Sequence, residues 1–79
     1  MKIIYFAHVA KAAGCREDVL RAPAPIGAEA LWAHVLQLHP ELARFRPTVR
    51  LARNGEFAAP DAVFNDGDEV ALLPPVSGG

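Results

Sequence analysis

Cysteine occurs once in this sequence, as Cys15, so no disulfide can form within the chain. A lone thiol suits a reducing compartment. Long apolar runs are missing too. The opening stretch, MKIIYFAHVAKAAG, is interrupted by His8 and Lys11 well short of a bilayer's thickness, and it lacks the unbroken apolar region of a signal peptide. The expectation is a soluble, cytoplasmic protein with no membrane attachment. An excess of one charge is also absent: 8 Lys and Arg meet 9 Asp and Glu, for a net charge of −1. Without a basic surplus, no nucleic-acid partner is expected. The charges are unevenly spread, however. Arg44, Arg46, Arg50 and Arg53 crowd the middle, whereas residues 61–79 contain acids and no Lys or Arg. That acidic end is either a contact for a basic partner or a solvated loop, and the solvated loop is the simpler reading.

Catalytic groups are sparse. There is no phosphate-binding glycine loop, no HExxH and no Cys/His pair at zinc spacing. His8, His34 and His39 are too scattered for a metal motif, so no metal is expected, and His39 reads as a cation near a helix end. Cys15 follows a turn glycine, with no histidine that the sequence places to activate it. Ser77 has no visible base. Asp66, Asp68 and Glu69 lack the calcium-loop spacing and read as a turn followed by a strand. Self-contained enzymology is not expected.

What the chain has is enough apolar residue, 52% of 79 positions against 22% charged, to fold as one domain. Residues 1–73 read as that domain and 74–79 as a flexible tail. KIIYFAHV (2–9) is β-branched and aromatic and predicts a strand, AKAAG (10–14) a turn, and EDVLRA (17–22) a second strand completing a hairpin. PAPIG interrupts the sheet. AEALWAHVLQLH predicts a helix over 28–39, with Ala28, Leu31, Val35 and Leu38 on its buried stripe and Pro40 ending it. ELARF (41–45) predicts a further helical turn. TVRLAR (48–53) and EFA (56–58) flank Asn54-Gly55, a strong hairpin signal that pairs Arg53 with Glu56, Ala52 with Phe57 and Leu51 with Ala58. FNDGD is a turn and EVALL (69–73) the closing strand. The order β-β-α-β-β-β gives an α+β roll, one helix on a mixed sheet of about five strands.

One helix covers only one face of such a sheet. With Ile3, Tyr5, Val9, Leu51, Val70 and Leu72 facing it, alternation sends Ile4, Phe6, Ala52, Phe57, Ala71 and Leu73 outward. A face that apolar suggests a partner.

The chain closes on LPPVSGG. Pro74 and Pro75 cannot continue a ladder and hold the segment extended. Extended, residues 74–79 reach about 20 Å at ~3.3 Å per residue. Gly78 and Gly79 have no Cβ and can thread a passage closed to side chains.

FNDGDEVALLPPVSGG resembles the end of the small, sulfur-carrying subunits of molybdopterin synthase. The matching residues are Asp66 to Ala71, Pro74-Pro75-Val76 and Gly78-Gly79, with a small residue at Ser77. Phe6-Ala7, Val9, Ala30-Leu31 and Asn54 are similar to the family pattern as well. The resemblance implies the ubiquitin-like β-grasp fold. It implies that an ATP-dependent adenylyltransferase, akin to ubiquitin activators, adenylates the Gly79 carboxylate, and that a sulfur donor converts the acyl-adenylate to a thiocarboxylate. Pro74, Pro75, Val76, Ser77 and Gly78 would then lead Gly79 into a large synthase subunit, where the sulfur attacks cyclic pyranopterin monophosphate to build the dithiolene. Phe6, Phe57 and Leu73 would contact that subunit. The chain itself would be a non-catalytic carrier within a heterotetramer, with no tightly bound cofactor. Leu73 stands where some relatives have an aromatic, and Ala10 where an arginine is common. A sulfur carrier for thiamine or tRNA thiolation, a protein modifier joined through Gly79, and a plain interaction module are the alternative readings.

Overall fold

In the computed structural model, which describes residues 1–21 and 25–74, the β-branched start KIIY forms strand β1, Lys2–Tyr5. Here the chain departs from the predicted strand over 2–9. After Phe6 the sequence AHVAKAA is dominated by alanine, the best helix former, and it folds as helix α1, Ala7–Ala13. The change of direction occurs at Ala7, whose φ of 50° lies in the left-handed region. A residue with a Cβ held there costs about 1 kcal/mol. Val9 is buried as expected, but from this helix rather than from a strand. The predicted turn over 10–14 is the second half of α1, and Gly14 ends it at φ 78°, donating its N–H to the Ala10 carbonyl.

Strand β2, Glu17–Val19, runs antiparallel to β1, with Ile3 opposite Asp18. It is shorter than the predicted 17–22, of which Ala22 lies outside the described residues. β1 and β2 are thus joined through a helix rather than by a plain hairpin turn. A feature the sequence did not suggest follows: β3, Ile26–Gly27, pairs antiparallel with β6, Val63–Phe64, as a separate two-stranded sheet. Helix α2, Ala28–Leu38, matches the predicted span closely. Its buried residues are Leu31, Trp32 and Val35, whereas Leu38, expected on the stripe, is 48% exposed in the final turn. Trp32 takes up the missing area one position round from Leu31. The helical turn expected at 41–45 is a 3₁₀ helix, Pro40–Phe45, which seats Leu42 in the core.

Strand β4, Arg50–Arg53, and β5, Glu56–Phe57, form the predicted hairpin. Asn54 and Gly55 both have positive φ, 50° and 88°, as a type I′ turn requires. Register pairs Arg53 with Glu56 and Ala52 with Phe57, and Ala58 donates to the Leu51 carbonyl at 2.8 Å. Asn54 has a second task. Its amide accepts from the Glu69 N–H at 2.9 Å and donates to Asp68 at 3.2 Å, tying the hairpin tip to the start of β7, Glu69–Leu73. The backbone N–H of Asn65, at 2.8 Å, and the Asn54 amide hold the Asp68 carboxyl below its ordinary range. Asp68 is therefore a turn-builder.

The main sheet has the order β2-β1-β7-β4-β5. β7 is parallel to β1 and antiparallel to β4, so the sheet is mixed and five-stranded, as expected. Phe64, Ile3, Leu31, Leu42 and Leu72 are among the largest fully buried side chains. Leu72→Ala should lower unfolding free energy by about 3 kcal/mol through lost burial and a residual cavity, and Leu38→Ala by less than about 1 kcal/mol. Urea unfolding of the two variants measures this contrast.

Candidate functional site

Register partners in a sheet share a face. Ile4 pairs with Ala71, Ala71 with Ala52, and Ala52 with Phe57, so one continuous row crosses β1, β7, β4 and β5. Leu73 pairs with Arg50 in the next outward row, and Phe6 follows directly on β1. The alternate rows, Ile3–Val70 and Tyr5–Leu72–Leu51, face the core. The outward set expected from alternation is therefore assembled as one surface. The small side chain of Ala52 is largely shielded at 7% exposure, whereas Phe57 and Phe6 stand out at 58% and 44%. Leu73 is half-buried between them.

The surface has charged rims. The Arg50 guanidinium sits 4.0 Å from the centre of the Phe57 ring, a cation–π contact that steadies an otherwise free aromatic. On the opposite edge Lys2 pairs with Glu17 at 3.2 Å. The root of the tail is at the same end as Phe6, because Pro74 follows Leu73 at the end of β7. The remaining tail residues expected to thread or react, Pro75, Val76, Ser77, Gly78 and Gly79, lie outside the described residues.

On the other side of the sheet the structure brings together groups that the sequence left apart. Asp18 Oδ2 accepts from the Tyr5 hydroxyl at 2.8 Å and lies 2.7 Å from His39 Nε2. Cys15 Sγ is 3.7 Å from both Asp18 Oδ2 and His39 Nε2. The expectation that Cys15 has no neighbouring histidine is thus corrected. No local spacing signals the contact, because it depends on β2 aligning with β1 and on where α2 ends. Burial draws the Asp18 carboxyl upward, but hydrogen bonds from His39 and Tyr5 outweigh it and hold the group below the usual range. Burial first, then the Asp18 charge, pushes the Cys15 thiol up. The thiol is therefore not an activated nucleophile. Burial and the bond to Asp18 likewise raise the Tyr5 phenol far above its ordinary value. His8 is exposed on α1 and His34 half-buried on α2; neither joins this cluster.

The model of the ThiS family matches residues 3–79. The chain belongs to the ThiS family. It is 36% identical over 81 residues to the molybdopterin synthase sulfur carrier subunit of Chlamydomonas reinhardtii, covering 100% of this chain and 98% of that protein. It is 34% identical over 82 residues to the subunit of the same name from Homo sapiens, covering 100% and 93%. Among solved structures it is similar to SAMP1, a small archaeal modifier protein from Haloferax volcanii, with a TM-score of 0.85 and 32% identity over 100% of this chain and 98% of that one. The ubiquitin-like β-grasp fold and the kinship expected from the FNDGDEVALLPPVSGG ending are both borne out. Among the described residues of this ThiS-family chain, no helix is long and apolar enough to cross a membrane.

The raised Tyr5 phenol has a consequence at high pH. Above about pH 10 the unfolded chain ionises Tyr5 while the folded chain keeps it protonated, so stability falls as pH rises. Melting temperatures across pH 8–11 should decline in the native chain and decline less in Tyr5→Phe, with a difference of up to about 1 kcal/mol per pH unit above pH 10.

Proposed function

We propose that this chain is the sulfur-carrying subunit of molybdopterin synthase and that Gly79 is the carrier. One observation bears most of the weight: the sequence Pro74-Pro75-Val76-Ser77-Gly78-Gly79 follows a central strand, in a chain similar over its whole length to subunits of that name. The arrangement suits the task. A carboxylate is a poor electrophile, and a slim lead-in lets it reach an enclosed site on another protein.

In this reading an adenylyltransferase in the cytoplasm binds ATP and the tail together. A Gly79 carboxylate oxygen attacks the α-phosphorus, pyrophosphate leaves, and an acyl-adenylate forms. A sulfur donor then displaces AMP, and the carboxylate becomes a thiocarboxylate. Pro74 to Gly78 carry it into the large subunit, within a heterotetramer. There its sulfur attacks cyclic pyranopterin monophosphate, water cleaves the acyl carbon–sulfur bond to return the Gly79 carboxylate, and two rounds complete the dithiolene. Acid and base groups for that step reside on the large subunit, in keeping with the exposed, chemically inert outer face. Phe6, Phe57 and Leu73 are the anchors for docking, since apolar groups at an interface centre carry much of the affinity.

Similarity to SAMP1 favours a second use of the same residue: transfer of an activated Gly79 acyl group to a lysine amine. The two readings separate by product. A carrier isolated from its own cells shows, by intact mass spectrometry, the mass gain of one oxygen replaced by sulfur. A modifier gives conjugates of higher mass linked through Gly79.

Deleting Gly79, or adding one residue beyond it, should abolish sulfur transfer in a reconstituted synthase while leaving the circular dichroism spectrum unchanged, because tail length positions the reacting carbon. Full activity of the extended tail would refute the carrier assignment. Phe57→Asp should weaken binding to the large subunit by more than about 1 kcal/mol, measured calorimetrically. Unaltered affinity would remove the outer face from the interface.

A further inference from the structure

We propose that Cys15, Asp18 and His39 form a binding site for a borderline-soft divalent cation of the zinc class, on the core side of the sheet and independent of the tail. Cys15 comes from the link between α1 and β2, Asp18 from β2, and His39 from the end of α2. One ligand atom from each lies within 4.8 Å of the others. Tetrahedral zinc, with bonds of about 2.0–2.3 Å, sets its ligand atoms roughly 3.4–3.6 Å apart. The two sulfur separations here, both 3.7 Å, already fit. The Asp18–His39 separation of 2.7 Å is that of a hydrogen bond, which opens by less than an ångström, on this ligand spacing, when a cation takes the proton's place.

The donor chemistry agrees. Thiolate, imidazole and carboxylate are the three side-chain ligands zinc uses. As the metal–sulfur bond forms, the Sγ–H proton passes to the buffer, and thiolate plus carboxylate cancel the dication's charge. The cation thereby overcomes the burial and the Asp18 charge that otherwise keep the thiol protonated. The surroundings agree as well. On the far side of the imidazole, Glu41 Oε1 lies 3.7 Å from His39 Nδ1, the place where metal-bound histidines usually find a carboxylate. The Tyr5 hydroxyl holds Asp18 from the buried side. The His39 and Asp18 side chains keep 15% and 28% exposure, so a water can complete the tetrahedron. A bound ion would cross-link β2 to the end of α2.

The test uses the full, untagged chain, stripped with a chelator and titrated first with Co2+ and then with Zn2+. The expected result is one equivalent of Co2+ giving a thiolate-to-cobalt charge-transfer band, loss of that band on adding Zn2+, and a higher melting temperature with Zn2+. Cys15→Ser should abolish the band, and Asp18→Asn and His39→Gln should each weaken binding at least tenfold. Tyr5→Phe retains all three ligands and should still bind. Circular dichroism checks each fold; if one of the Asp18 and His39 variants unfolds, the other decides. Absence of the band at one equivalent, or unchanged Co2+ affinity in a folded Asp18→Asn or His39→Gln variant, would overturn the site. Because Gly79 takes no part, failure here leaves the carrier reading untouched, and failure of the carrier reading leaves this site standing.

Discussion

β7 lies between β1 and β4, and its two-residue alternation organises both faces of the sheet together. Val70 and Leu72 point into the core and are fully buried. Ala71 and Leu73 point out, Ala71 in the row that ends at Phe57 and Leu73 beside Arg50 in the next. A slip of one residue would bury the outward set and expose the core set. The register is secured at the start of β7 by the Asn54 amide, bonded to Glu69 and Asp68. Core and outer surface are thus two results of a single pairing, made between residues at opposite ends of the chain.

The parts legible in the sequence are those in which local chemistry and the final fold agree. Asn54-Gly55 demands positive φ at two positions, and only one kind of hairpin supplies it. EVALL alternates cleanly, and Pro74 marks where it stops. The second half of KIIYFAHV was misread because Phe6 and Val9 suit a strand, while the alanines around them favour a helix, and burial of Val9 satisfies either. Leu38 obeys the helical period but falls in the last turn of α2, where periodicity carries no information about what lies opposite. β3 and β6 are two residues each, too short for any periodic signal. The outer face was readable because alternation along strands is local. The Cys15–Asp18–His39 cluster was not, because its members meet only through β-register and helix length.

The two faces divide the chemistry. Outside lies an apolar field with aromatic ends and, among the described residues, charged groups at its rims. Inside the opposite edge lies a knot of Tyr5, Cys15, Asp18 and His39, joined by short contacts. The two lie on opposite sides of the sheet, so the polar cluster and the apolar outer face are free to change separately.

The central place of β7 also has a mechanical meaning. A pull on the chain at Pro74 is transmitted along β7 from Leu73. Parallel β1 on one side and antiparallel β4 on the other resist that pull as two ladders loaded in shear, with many hydrogen bonds sharing the force at once. An edge strand pulled the same way would have one ladder, not two, to share the load. Any pull applied along β7 is therefore spread across the middle of the sheet before any one bond has to yield.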